Sequence, residues 1–453
     1  MIYLQRKGEN YMLKKKLVLL LMIVVGAFTL AGCQNKSPLT IWVGSESQAF
    51  YAEKMVEYVT LYNSTHSEPF PYDIVVKAVD SASAAATFLD DTDAGADIFT
   101  IPHDNLGKLI TGSSSIAPIT KQALLDQIAS DNPAMFINVT KGVVGGTEYT
   151  FGVPYVAQSL VLYYNKQYIT PTQAQTWEGI LEAAVAANKQ ALSLTGSDGF
   201  NNSFLLLARE AETKATTLQL YVDANLENNY ARGDDTIAKL KWGQRFFNHP
   251  NGARMPSDSG WEIELKNEIS LSLIGGAWNF KAAQAALGSN LAITILPSFT
   301  LTEADAYGTI AAGTVFQSGS FTDAKMFVMK KTSDKLAYLE DIIMYLSSKE
   351  VQEESYVAAA NLPAYKNAIT EFEAMQLDNL ETQLAIAQIN MFEHGIPQPF
   401  GANSRFNVYY YQKGAPDLIV EILRNTNNAF STDSAIMAQM VIVERVWKTG
   451  LKE

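Results

Sequence analysis

The strongest constraint on the fold is the order in which the hydrophobic pattern changes period. Leu39-Thr40-Ile41-Trp42-Val43 is a strand-type run, and Gly44-Ser45-Glu46-Ser47 reads as the turn that ends it. Ala52, Met55, Val56, Val59 and Tyr62 then recur at helical spacing. The switch repeats: residues 72–78 are rich in β-branched residues, 81–89 read as a helix, and Ala96-Asp97-Ile98-Phe99-Thr100 is again extended. Strands that alternate with helices imply a largely parallel sheet with helices on both faces. Ligands of such sheets sit beyond the carboxyl ends of the strands, so residues 44–47 and 102–105 are the loops to watch.

A second block begins at Gly145-Gly146-Thr147-Glu148-Tyr149, a hairpin-like turn ahead of a strand. Pro154 has no amide hydrogen, so the extended run around it predicts a crossing segment at an edge, not a central strand. Thr176 is the predicted N-cap of the helix that opens with Trp177. Residues 269–275 form a short strand leading to Gly276-Ala277-Trp278-Asn279, and 291–296 another, ended by Pro297. Leu336, Leu339, Ile342, Ile343 and Leu346 share one helical face, and Ser347 and Glu350 have capping-box spacing for a second helix. The last hundred residues read as mostly helical. At 453 residues without an internal repeat, two α/β lobes joined by several crossings fit best.

Composition removes several functions. With 47 acids against 34 Lys and Arg, the chain carries −13 and has no basic cluster past its N-terminus, which excludes nucleic acid as a partner. The single cysteine, Cys33, allows no internal disulfide and no cysteine-based zinc or iron–sulfur site. His66, His103, His249 and His394 lack metal spacing, and Asp90, Asp91, Asp93 and Asp97 lack the later ligand of a calcium loop and read as a solvated turn. No phosphate-loop, HExxH or G-x-S-x-G motif occurs, and no cofactor is expected. Lys14-Lys15-Lys16 followed by an apolar run from 17 to 30 reads as an export signal. Its end, Leu30-Ala31-Gly32-Cys33, resembles the lipobox of bacterial lipoproteins, with translation starting at Met1 or Met12. That resemblance implies a signal peptide at 1–32, a lipid on Cys33, a tether at 33–38 and a protein held at the extracytoplasmic face of the bacterial cell membrane. Loss of 1–32 removes five basic residues and one acid, so the mature charge is −17.

Further motifs run in order along residues 39–450. Ala96-Asp97-Ile98-Phe99 followed by His103-Asp104, Gly152-Val153-Pro154-Tyr155 through Tyr163-Tyr164-Asn165-Lys166, Thr176-Trp177-Glu178, Leu273 to Trp278, Ile295-Leu296-Pro297 and Gly395-Ile396-Pro397-Gln398-Pro399 all have counterparts in one family. Together they resemble the extracellular solute-binding proteins of sugar ABC importers, the maltose-binding-protein-like class. The resemblance implies an α/β, two-lobed periplasmic-binding-protein-like fold with a hinge between the lobes. Carried over, the crossings fall near 154–158, 293–297 and 346–351, giving an N-lobe of 37–153 plus 297–347 and a C-lobe of 158–293 plus 351–453. The implied function is a monomeric, non-enzymatic receptor that captures a sugar or oligosaccharide and delivers it to an ABC permease. The alternatives are the same fold with a peptide, polyamine or metal ion as cargo, and a surface glycoside hydrolase.

Sugar binding calls for carboxylates or amides for hydroxyl pairs and aromatic faces for the apolar side of the ring. Asp104 matches the family aspartate that binds sugar hydroxyls; its other reading is a helix N-cap. His103 is expected to be structural. Ser45, Glu46 and Ser47 occupy the first ligand loop. Gln158 stands where maltodextrin binders often carry glutamate, which keeps the hydrogen bond and loses the charge. Trp278 matches the tryptophan on which the family stacks a ring. Tyr155, Phe200, Tyr409, Tyr410 and Tyr411 are further aromatic candidates.

Overall fold

The computed structural model describes residues 37–112, 114–195, 199–222, 227–255, 260–368, 371, 379–399 and 405–452; the expected signal peptide and Cys33 lie outside the described residues. The first sheet has seven strands: β1 (Leu39–Val43), β2 (Ile74–Ala78), β3 (Ile98–Pro102), β4 (Ile116–Ala117), β5 (Gly152–Gln158), β6 (Ser320–Lys330) and β7 (Gly395–Pro397). The strand–helix alternation gives the parallel pairs β1–β2 and β1–β3, with Ile41 beside both Val76 and Ile98. β6 closes the sheet antiparallel to β3 and to β5.

Because side chains alternate along a strand, the sheet feeds two cores. Leu39, Ile41 and Val43 face Phe50, Tyr51 and Met55 of the helix Gln48–Thr65, together with Leu339, Ile342, Ile343 and Leu346. Trp42, Phe99 and Ile101 face Phe88 of the helix Ser81–Asp90 and Leu106 and Leu109. The row predicted from Leu336 to Leu346 is thus a core face.

Local signals resolve as expected at several points. Gly145 and Gly146, at φ +60° and +81°, form the two-residue turn between Lys141–Val144 and Thr147–Thr150. Thr176 accepts the Gly179 amide at 3.0 Å and caps the helix Trp177–Ala187. Pro154 lies in β5, whose ladder is with β6, at a register shift, and whose other side carries a single bridge from Val156 to Pro363. The second helix start moves by one residue: Ser348, not Ser347, accepts the Val351 amide. Ser347 is spent on the helix before it, its hydroxyl donating to the Ile343 carbonyl.

The second sheet runs Ala253–Arg254, Leu192–Ser193, Ser272–Gly275, Val161–Asn165 and Leu291–Thr294 in spatial order. Trp177, Phe204, Trp242 and Trp447 pack in one core and Trp261, Leu265, Phe280 and Leu384 in the other.

The connections between the two sheets follow from which core each segment joins. Residues 298–317 pack with the second core, because the hairpin Ser298–Thr300/Val315–Gln317 pairs with Arg209–Glu210 and Phe299 stacks on Trp242 at 4.1 Å. The return to the first sheet is therefore β6, which starts with Ser320 hydrogen-bonded to the Leu160 amide and ends beside β3. Val351 likewise belongs to the first core, and the chain rejoins the second sheet with the helix Leu380–Phe392. β5 and β6, lying side by side, carry the chain across. Among the described residues no helix is long and apolar enough to cross a membrane.

Candidate ligand-binding site

The site is organised by alternate residues of the crossing strand β6. Phe321, Asp323 and Lys325 point to one face. Phe321 meets Phe200 at 5.9 Å and Phe406 at 5.6 Å, Asp323 meets His103, and Lys325 pairs with Glu46 at 3.2 Å. Gln158 lies directly opposite Asp323 in the antiparallel register and shares that face; its side chain has no hydrogen-bond partner among the described residues. Tyr155 belongs to the β5 bulge instead. Its ring stacks on Phe327 at 4.2 Å and meets Tyr51 edge-on at 6.0 Å, so it is part of the first core.

Asp104 sits in the 3₁₀ turn His103–Asn105, just past the carboxyl end of β3. One carboxylate oxygen accepts the Asn105 side-chain amide at 3.0 Å and the other that of Asn407 at 2.6 Å. No helix amide is capped by Asp104, since the following helix Leu106–Ile110 has no side-chain cap. His103 is buried, with Nδ1 at 2.5 Å from Asp323 and Nε2 at 3.0 Å from the Gln398 carbonyl. Burial alone would lower its pKa, but the Asp323 carboxylate raises it above the ordinary value; Nδ1 also faces the Ala324 amide at 3.2 Å.

Asp104 is the strained member. Burial, then repulsion from Asp323, pushes its carboxyl up to about 6 against the attraction of His103, the Asn407 amide and Lys108. Lys108 is itself lowered by burial. Asn105 Oδ1 is buried beside Asp104 and has no donor among the described residues. What this wall offers a ligand is therefore acceptor capacity. In the first loop, burial raises the Glu46 pKa but Lys325 and the residue's own amide more than offset it, leaving it below the ordinary value. Its carboxylate folds over Gly44, where a Cβ would lie 2.4 Å away. Ser47 is buried and accepts the Asn361 amide at 3.0 Å, while Ser45 is exposed.

The opposite wall is aromatic. Trp278 follows the strand Ser272–Gly275 in a 3₁₀ turn and is 36% exposed. Its indole lies back over Gly276, where a Cβ would meet the ring at 2.1 Å. Phe200 meets it edge-on at 5.8 Å. The tyrosine run occupies a π-helix, Asn407–Gln412, which splits its members. Tyr410 is buried against Phe406 at 5.1 Å and Trp447 at 5.5 Å. Tyr409 lies against Gly450, and the Tyr411 hydroxyl donates to Gln398 Oε1 at 2.7 Å. Glu46, Asp104, Gln158, Phe200 and Trp278 are thus linked through Phe321, Asp323 and Lys325; Tyr410 also meets Phe321, at 6.2 Å, Tyr155 lies on Phe327 further along β6, and Ser47 and Tyr409 are held elsewhere.

Five residues of the cluster are not foreseen from the sequence: Asn105, Asp323, Lys325, Gln398 and Asn407. Only Asp323 and Lys325 carried a signal, two charges at spacing two in the apolar run from Phe321 to Met329. Among the described residues no three His, Cys, Asp or Glu side chains gather as a metal site. Asp97 is held by Lys335 at 3.1 Å, and Asp91 accepts the amides of Asp93 and Ala94.

The family model for bacterial extracellular solute-binding proteins matches residues 57–379, more than half of the chain, and the chain belongs to that family. Its fold is similar to that of the maltodextrin-binding protein MalE1 from L. casei BL23, solved without ligand (TM-score 0.66, 16% identity, covering 91% of this chain and 99% of that one). It is similar also to a cyclo/maltodextrin-binding protein complexed with maltotetraose (0.64, 16%, 92% and 99%) and to MalX from Streptococcus pneumoniae with maltopentaose (0.66, 14%, 90% and 99%). A search of curated proteins finds no match. The family is one of binding proteins, and the architecture is the two-lobed one expected.

Proposed function

We propose that this chain is the receptor of a sugar ABC importer, closing its two lobes on an oligosaccharide and presenting it to the permease without catalysing a reaction. The observation that carries this reading is the pairing of an acceptor-rich wall, Asp104 and Asn105 with Gln158 beside them, with an exposed indole, Trp278, on the other wall. A pyranose presents hydroxyl donors at its edge and C–H bonds on its face, which are the complements of those two walls. The maltotetraose and maltopentaose complexes of the similar folds support the cargo class. Ligand that bridges the lobes shifts the population toward the closed state, and that state is the one the permease reads. In this reading the first lobe comprises the first sheet with its helices through the one ending at Ala359, the second lobe comprises the rest, and β5 and β6 form the hinge. The protein acts as a monomer, and Cys33 carries the lipid that retains it at the membrane surface.

Thermal unfolding of residues 36–453 with maltose through maltopentaose tests the proposal. A ligand at a hundred times its Kd stabilises by about 2.7 kcal/mol, which shifts Tm by several degrees. A shift with one sugar class supports the reading. No shift with sugars, together with one from peptides or polyamines, keeps the fold and replaces the cargo.

A further inference from the structure

Asp104 and Asn407 are 303 residues apart, yet their 2.6 Å hydrogen bond ties the end of β3 to the π-helix. The two ends are anchored in different bodies. Asp104 is fixed by the first sheet, whose Pro102 pairs with Lys325. Asn407 is fixed by its neighbours Phe406 and Tyr410, which are buried in the second core against Phe321 and Trp447. Asn407 and Tyr411, four residues apart, face the first lobe, and a second link runs in parallel from the Tyr411 hydroxyl to Gln398 and from the Gln398 carbonyl to His103. A π-helix is a rare conformation that concentrates at functional sites, and here it aims Asn407 at Asp104 and Tyr411 at Gln398, whose carbonyl meets His103.

We propose that Asn407 is a positioning residue that latches the lobes together through Asp104, so that the closed arrangement is populated without ligand and Asp104 is held ready for a ligand hydroxyl. The bond cannot survive separation of the lobes, since neither residue can follow the other. A hydrogen bond to a charged carboxylate biases a two-state equilibrium by about ten- to hundred-fold. The charged groups facing Asp104 are His103 in its own turn, Asp323 on β6 and Lys108 on the next helix; the π-helix contributes only the neutral amide.

Small-angle scattering of the ligand-free protein tests the latch independently of the cargo, so sugar binding can fail while the latch holds, and the reverse. Asn407→Asp places a second carboxylate against Asp104. At pH 8 the like charges should shift the radius of gyration upward from wild type, and at pH 5 a shared proton should bring it back. Asn407→Ala should give a smaller expansion at both pH values. Identical radii for wild type and Asn407→Asp at pH 8, or an expansion unchanged at pH 5, would overturn the proposal. If Asn407→Asp loses its fold by circular dichroism, Asn407→Ala decides: expansion supports the latch and identity with wild type refutes it.

Discussion

The two walls of the cleft use different chemistry. The first-sheet wall holds Glu46, His103, Asp104, Asp323 and Lys325, ionisable groups taken largely out of water and paired, save that Asp104 accepts hydrogen bonds, among the described residues, from amides alone. The second wall presents Trp278, Phe200 and Asn407, none of them charged. A buried charge is tolerated when it is paired, and the ion pairs here lie within the first wall and β6. An aromatic wall needs no such matching and can meet a ligand or water alike. In the proposed reading, hydroxyl recognition falls to one side of the cleft and ring stacking to the other.

Substitutions on either wall test that division. The largest effect expected is on stability. Tyr155→Ala removes a ring packed on Phe327 and Tyr51 and should cost about 3–5 kcal/mol by calorimetry. Weakened sugar binding with an unchanged Tm would return Tyr155 to the site. Next comes Asp104→Asn, with opposite effects on the two properties. The folded-state pKa of about 6 lies above the unfolded value near 3.9, so the ionised group destabilises the fold above pH 6, and the penalty fades as pH falls toward 4. The variant should gain of order 2–3 kcal/mol at pH 8 and nothing at pH 4, and bind oligosaccharide roughly tenfold or more weakly. Equal pH–stability profiles for the two proteins would contradict the buried, repelled carboxylate.

Trp278→Ala should lower sugar affinity about tenfold, or ~1.4 kcal/mol, and barely move Tm because the indole is one-third exposed. An unchanged Kd in titration calorimetry would take Trp278 out of the site. The smallest effect belongs to Gln158→Ala. With no hydrogen-bond partner among the described residues to orphan, it should cost less than about 1 kcal/mol of stability and weaken binding a few-fold. A large loss of stability would show that Gln158 is structural.

Much of the first wall was legible because its signals are local. Asp104 follows a strand by two residues, and the loop after β1 lies at the switch from period two to helical spacing. The aromatic candidates were less legible. Tyr155, Tyr410 and Trp278 look alike in sequence, each a large ring beside an apolar run. The bulge in β5, the packing of Phe406 and Trp447, and the glycine before Trp278 assign them to first core, second core and surface. The course of the chain after 293–297 was hard to read for a similar reason. Pro297 does end a strand, but where the next strand goes depends on Phe299 finding Trp242.

By itself the sequence determined the features that near neighbours along the chain set: alternating strands and helices, the Thr176 cap, the Gly145-Gly146 turn and an edge role for the Pro154 strand. These depend on backbone torsion, capping and side-chain period, all fixed within a few residues. Only the tertiary structure decided which groups meet. The His103 pKa, lowered by burial, is raised overall because Asp323 arrives from 220 residues away, and the Asp104 carboxyl is pushed up by burial and then by the same Asp323. Asn407 reaches Asp104 across 303 residues through a π-helix that no local pattern announces. Burial and long-range contact set the electrostatics of this cleft, and both exist only once the chain has folded.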